Sequence, residues 1–266
     1  MRLFLTGLTL LTLSASLFAE PSSLNKARAK YCQEKLSSKH SIQQILTDPR
    51  NQLHFYNQGG VLNGGVCWWH SRFIRAAAYL AIFDPAQAKP NLEEAKKIIH
   101  TIRQRKDIVV IPGYRNLYEF SIDWGNEILD KLEDWQKSDG LMKFSWFKGL
   151  TRDEEVSAEK LSEKMDDLFE RISRGEVVYQ MLQMPGIVAH AWLAIGMEKT
   201  YNGYVIHAID SNAPGEVVRF PYYKGTTKID YVLIPGLTFV PYDGNVKEER
   251  KLRKKLYKEC DQTLED

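Results

Sequence analysis

At Gly175 the hydrophobic pattern of this chain changes period. Upstream, apolar residues recur at helical spacing, as in Leu161, Met165, Leu168 and Ile172, where intervals of three and four residues place side chains on one helix face. Downstream, the segments 177–183, 190–197, 205–210 and 231–240 read as successive strands, with Tyr201-Asn202-Gly203 supplying a turn. A chain that groups its helices ahead of its strands is expected to fold as α+β, a helical N-terminal part packed on a C-terminal antiparallel sheet.

Within the helical part, residues 22–46 read as helix, with Leu24, Tyr31, Ile42 and Leu46 among the apolar positions. A second helix is expected over 67–83, rich in Ala76, Ala77, Ala78, Leu80 and Ala81, as a helix buried on most sides requires. Pro90 is expected at the first position of a third, where a missing N–H costs nothing, with Ala95, Ile98, Ile99 and Ile102 as its buried stripe. Residues 108–111 read as a strand and 126–135 as a short helix. Thr151 and Glu154 suggest a capping box ahead of the Leu161 stripe, and Gly175 ends that helix. Residues 247–260 read as a charged surface helix. No internal repeat or long linker interrupts the chain, so residues 20–266 are expected to form one domain.

The first residues read differently. Met1-Arg2 is a short basic start, followed by an apolar run from Leu3 and then Ser14-Ala15-Ser16-Leu17-Phe18-Ala19. This is the build of a secretory signal, expected over 1–19 with cleavage after Ala19; an uncleaved anchor is the alternative. The run falls short of the roughly 20 apolar residues that span a bilayer. Export to the periplasm or the medium is therefore expected, with no membrane association after cleavage. With 36 basic against 34 acidic residues the net charge is +2, which offers no electrostatic reason to expect nucleic acid as a partner. In an oxidising compartment cysteines tend to pair. Of the three present, Cys32 and Cys260 lie near the two ends and are the expected disulfide, leaving Cys67 as a thiol.

Cys67 follows a loop containing Asn57-Gln58-Gly59-Gly60 and Asn63-Gly64-Gly65, and it begins a helix. A helix N-terminus offers unpaired N–H groups and partial positive charge, which favour a thiolate and can receive an oxyanion. Read alone, Cys67 is equally a small buried hydrophobe. His190 opens a strand in which alternation places it with Trp192, Ala194 and Gly196; it fits a base reaching into a cleft, or a satisfied core histidine. Asp210 ends the next strand, before Ser211-Asn212-Ala213-Pro214-Gly215. Pairing through the 201–203 turn would set its carboxylate beside His190, where it could fix the imidazole tautomer; alone it reads as a turn residue. His70 reads as a packed or capping residue, His207 as a surface one, and Trp68, Trp69 and Trp192 as core. The spacing of His and Cys shows no metal site, and no phosphate loop is present, so neither metal nor cofactor is expected.

Gly65-Val66-Cys67-Trp68 resembles the Gly-x-Cys-Trp core of the papain-type nucleophile motif. His190 lies 123 residues beyond Cys67 (190 minus 67), a little under the roughly 130–150 typical of papain-like enzymes. His190-Ala191-Trp192 and Ile209-Asp210-Ser211-Asn212 are similar to the bacterial Cys-His-Asp peptidases related to leader-processing domains of peptide exporters. The resemblance spans about residues 55–240 and implies a papain-like fold, a peptide or protein substrate, and a Cys67–His190–Asp210 triad. It also implies a second oxyanion donor ahead of the Cys, for which Gln58 and Asn63 are the candidates, neither matching the family position. Val66 is larger than the residue usual there. His190-Ala191-Trp192 also resembles the transglutaminase His-Ala-Trp, which makes an acyl transferase the alternative enzyme. A secreted binding module on the same scaffold is the non-catalytic alternative.

Overall fold

A computed structural model describes residues 22–58, 65–143, 156–184, 189–243 and 246–261. The 1–19 segment, Asn63 and the expected Thr151–Glu154 cap lie outside the described residues. The fold is mixed helix and antiparallel sheet, in the order expected. Helices α1 (Ser23–Lys35), α2 (Ser41–Thr47), α3 (Cys67–Leu80), α4 (Leu92–Gln104), α5 (Leu117–Lys143) and α6 (Ala158–Ser173) precede the main sheet, and α7 (Val246–Glu259) follows it. Residues 22–46 are thus helical as expected, in two helices. Ser22 caps the first through its side chain, and α2 begins after a serine cluster in which Ser41 Oγ accepts from Ser38 N.

Several boundaries differ from the sequence reading for local reasons. The helix begun by Cys67 ends at Leu80, and the next four residues form β1 (Ala81–Asp84), which pairs in parallel with β2 (Val109–Pro112) across α4. A small parallel unit therefore sits inside the helical part, where only one strand was expected. Pro90 stands ahead of α4 rather than inside it, because Asn91 is the N-cap and closes a capping box with Glu94. The expected 126–135 helix is the middle of the 27-residue α5, whose backbone leaves helical angles at Trp124. Ser157 caps α6 by accepting from Lys160 N, and the helix stops two residues before Gly175. Gly175 has φ +87°, and a Cβ there would lie 1.9 Å from the Lys39 carbonyl oxygen. Only glycine fits that crossing.

The main sheet contains β3 (Val178–Gln183), β4 (Ala189–Thr200), β5 (Gly203–Asp210), β6 (Val218–Tyr223), β7 (Ile229–Asp230) and β8 (Thr238–Asp243), in spatial order β6-β5-β4-β3-β8-β7. Its ends, β6 and β7, touch, so the sheet curls toward a barrel. Of the expected 231–240 strand, residues 238–240 lie in β8, whereas 231–237 form the turn between β7 and β8, which contains Pro235-Gly236 with Gly236 at φ +80°. Strand β6 was not read from the sequence; Pro221 interrupts its pattern, and its position at a sheet edge tolerates the missing N–H.

The core has two parts, one on each face of the sheet. Ala191, Leu193 and Ile195 of β4 pack with α3 residues such as Phe73 and Ala77, while Trp192 and Ala194 pack with Leu161, Met165 and Leu168 of α6. Helix α3 is buried along nearly its whole length. It is held between the sheet, α4, α5 and α7, so its first residue is presented from a rigid element.

Candidate active site

Cys67 is the first residue of α3 and is 6% exposed. Three interactions shape the turn before it. Gly65 takes φ +78°, Val66 N donates to Asn57 Oδ1 at 2.6 Å, and Gln136 Nε2 donates to the Gly65 carbonyl at 2.9 Å. A Cβ on Gly65 would lie 2.4 Å from Asn57 Oδ1, so glycine is what lets the Asn57 amide press against the backbone. Val66 fits because its side chain is fully buried, while its carbonyl accepts from Trp69 N and His70 N and starts the helix.

The β4–β5 register brings Asp210 to His190. Trp192 and Asp210 are directly paired, so their side chains share a face, and His190, two residues before Trp192, lies diagonally across from Asp210. His190 Nε2 is 2.7 Å from Asp210 Oδ1. The Asp210 carboxylate accepts two further hydrogen bonds, from Asn212 N to Oδ1 at 2.8 Å and from the Tyr231 hydroxyl to Oδ2 at 2.8 Å. The alternation expected from His190 through Gly196 stops short, because a bulge after Ala194 shifts the register and pairs Gly196 with His207.

Both members of the pair are buried, His190 at 4% and Asp210 at 0% exposure. Burial lowers the His190 pKa, but the charge of Asp210, that of Cys67 and hydrogen bonds to both side chains outweigh it and raise the value to about 10. Burial likewise disfavours the Asp210 carboxylate, yet His190, Asn212 N–H and Tyr231 hold its pKa below the ordinary value. Three residues far apart in the chain therefore meet as thiol, imidazole and carboxylate. With Nε2 committed to Asp210, Nδ1 is the ring nitrogen left for the sulfur.

The other sequence candidates fall elsewhere. Gln58 is exposed on the surface, and its neighbour Asn57 is the amide that touches the turn before Cys67. His70 is buried, with Nε2 3.2 Å from the Phe55 carbonyl oxygen, and burial lowers its pKa to about 4; it is a packed neutral residue. His207 is partly exposed and lies 3.2 Å from Glu198. Trp192 is in the core, its Nε1 donating to Gln180 Oε1 at 2.9 Å, and Trp68 and Trp69 are likewise buried. Cys32 and Cys260 form a disulfide with Cα atoms 5.6 Å apart. Tyr231 and Asn212 were not singled out by sequence reasoning as site residues. The turn signal of Asp210-Ser211-Asn212 marked the place of Asn212, whereas nothing local marks Tyr231. No protein-family model, curated protein or solved structure matches the chain.

Proposed function

We propose that the chain is an exported, papain-like cysteine hydrolase that cleaves a peptide or amide bond through Cys67, His190 and Asp210. The observation that carries this reading is the single arrangement of Cys67 at the start of a buried helix, coupled to an imidazole whose far nitrogen is held 2.7 Å from a buried carboxylate. The disulfide between Cys32 and Cys260 supports export.

In this mechanism His190 takes the Cys67 proton and the thiolate attacks the substrate carbonyl carbon. The oxyanion forms against the N–H of Cys67 at the helix N-terminus, where backbone donors and the helix dipole favour negative charge. Collapse of the tetrahedral species breaks the C–N bond, and His190 returns its proton to the leaving amine. Water, deprotonated by His190, then hydrolyses the thioester and restores the thiol. Asp210 keeps the ring in one tautomer and stabilises the imidazolium.

Iodoacetamide labelling tests the reading without knowledge of the substrate. Cys67 is expected to react readily at pH 6, where an ordinary thiol titrating near about 8.5 is almost inert. His190→Ala is expected to slow labelling at that pH by about tenfold or more, a change of at least one unit in the apparent titration. Equal slow rates in both proteins would leave the non-catalytic binding module in place of the enzyme.

A further inference from the structure

A chain of hydrogen bonds runs from the residue before Cys67 round to His190. Beginning at Val66, the residue before the nucleophile, its N–H donates to Asn57 Oδ1. Asn57 Nδ2 lies 3.3 Å from Asn212 Oδ1, Asn212 Nδ2 is 3.1 Å from the Tyr231 hydroxyl, and that hydroxyl donates to Asp210 Oδ2 at 2.8 Å. Asp210 Oδ1 meets His190 Nε2, so the chain starts beside Cys67 and ends on His190. Each amide spends its oxygen on one neighbour and its nitrogen on the next, so the donors all run toward the carboxylate. Such a chain is polarised in one direction, and its last bond, to an ionised acceptor, is the strong kind.

Two features show that the chain is built rather than incidental. Tyr231 is 1% exposed and its ring stands edge-on to His190, centroids 5.7 Å apart, while Phe220 and Phe239 pack against it. A buried tyrosine hydroxyl needs a partner, and the acceptor it donates to is the carboxylate that orients the base. At the other end, Gly65 is the residue whose missing Cβ admits the Asn57 amide.

We infer that Tyr231, Asn212 and Asn57 are positioning residues that clamp Asp210 and tie it to the nucleophile turn, so that Cys67 and His190 are held from opposite ends of one hydrogen-bonded chain. The inference rests on the cysteine-hydrolase reading. Tyr231 acts on Asp210 directly, Asn212 orients the Tyr231 hydroxyl, and Asn57 transmits the constraint to the backbone before Cys67. None of the three need touch substrate.

Tyr231→Phe removes the hydroxyl and keeps the ring, and Asn212→Ala removes an exposed amide while leaving its backbone N–H on Asp210. Iodoacetamide labelling of Cys67 from pH 4 to 10, with melting temperature in parallel, reads the effect. Tyr231→Phe is expected to move the half-maximal pH of labelling upward by about one unit, slowing the rate at pH 6 by about tenfold. Asn212→Ala is expected to move it the same way by about half as much. A purely structural role would lower the melting temperature and leave the labelling profile where it is, and that result overturns the inference. Should Tyr231→Phe fail to fold, an unshifted profile for Asn212→Ala overturns it equally. The hydrolase reading fails separately: an unmodified protein whose Cys67 labels like an ordinary thiol has no ion pair to hold, and both ideas fall together. A low-pH profile in the unmodified protein that neither variant moves removes the positioning chain alone.

Discussion

His190 and His70 are the same side chain under similar burial, yet their protonation is driven in opposite directions. His70 has a backbone carbonyl beside it and is pulled down to about 4 by burial. For His190 the same burial is overcome by Asp210 and Cys67. Partners, not solvent exclusion, decide which histidine is charged. The consequence for stability has a definite sign. A histidine whose folded-state pKa lies above its unfolded value of about 6.5 stabilises the fold fully below that pH, and the contribution is lost as the pH rises through about 10. Cys67→Ala removes one of the negative partners, so the His190 pKa is expected to fall, by about one unit or more, and the alkaline loss to begin earlier. Imidazole NMR titration of the two proteins checks this, with His70 as an internal control that stays neutral at pH 7. An unchanged His190 titration would mean that the thiol and the ring are not coupled.

Helix α7 shows how an element can be recognised by sequence and misjudged in role. Its composition suggested a solvated charged helix, but Glu248, Leu252 and Leu256, spaced by four, are all buried. Glu248 reaches Arg72 at 2.7 Å, Arg75 at 2.9 Å and Arg105 at 3.4 Å, which docks α7 on α3. Burial disfavours its charge, yet the arginines lower its pKa to about 2. A carboxyl depressed in this way stabilises the fold above the unfolded value of about 4.3 and ceases to as the pH falls through about 2. Glu248→Gln leaves Arg75 buried without its carboxylate and is expected to cost about 3 kcal/mol at pH 7, since breaking a buried pair costs about 3–5 kcal/mol. Urea denaturation should show that difference shrinking between pH 4.5 and 2; a constant difference would place the role of Glu248 in packing rather than charge. Strand β6 was hidden for a related reason: Pro221 reads as a breaker until the sheet order shows an edge strand.

At the scale of the whole molecule, the Cys32–Cys260 bond joins α1 to the end of α7 across 228 residues of chain. A crosslink this long removes much of the freedom of the unfolded state, about 5 kcal/mol in the chain-entropy treatment. The Cys32→Ser, Cys260→Ser double variant is therefore expected to melt about 10 °C lower, at the roughly 2–4 °C per kcal/mol typical of this size. Calorimetry with and without reductant checks it: the double variant should match the reduced protein, and a melting temperature unmoved by either change would make the bond stabilising in name only. Among the described residues no helix is long and apolar enough to cross a membrane.

Local pattern carried the α+β order, the helix begun by Cys67, and the strands that bear His190 and Asp210, because periodicity and glycine placement report burial and backbone angles within a few residues. It also marked Cys32 and Cys260 as the pair left once Cys67 was set apart. What it could not carry is register between distant segments. The diagonal placing of Asp210 against His190 depends on how β4 and β5 pair, and the parallel pairing of β1 and β2 depends on α4 crossing between them. The convergence of Asn57, Asn212 and Tyr231 joins three stretches that share no local signal. Those contacts come from tertiary packing, since an amide or a hydroxyl in a loop has no period to betray its partner and gains one only when the sheet curls.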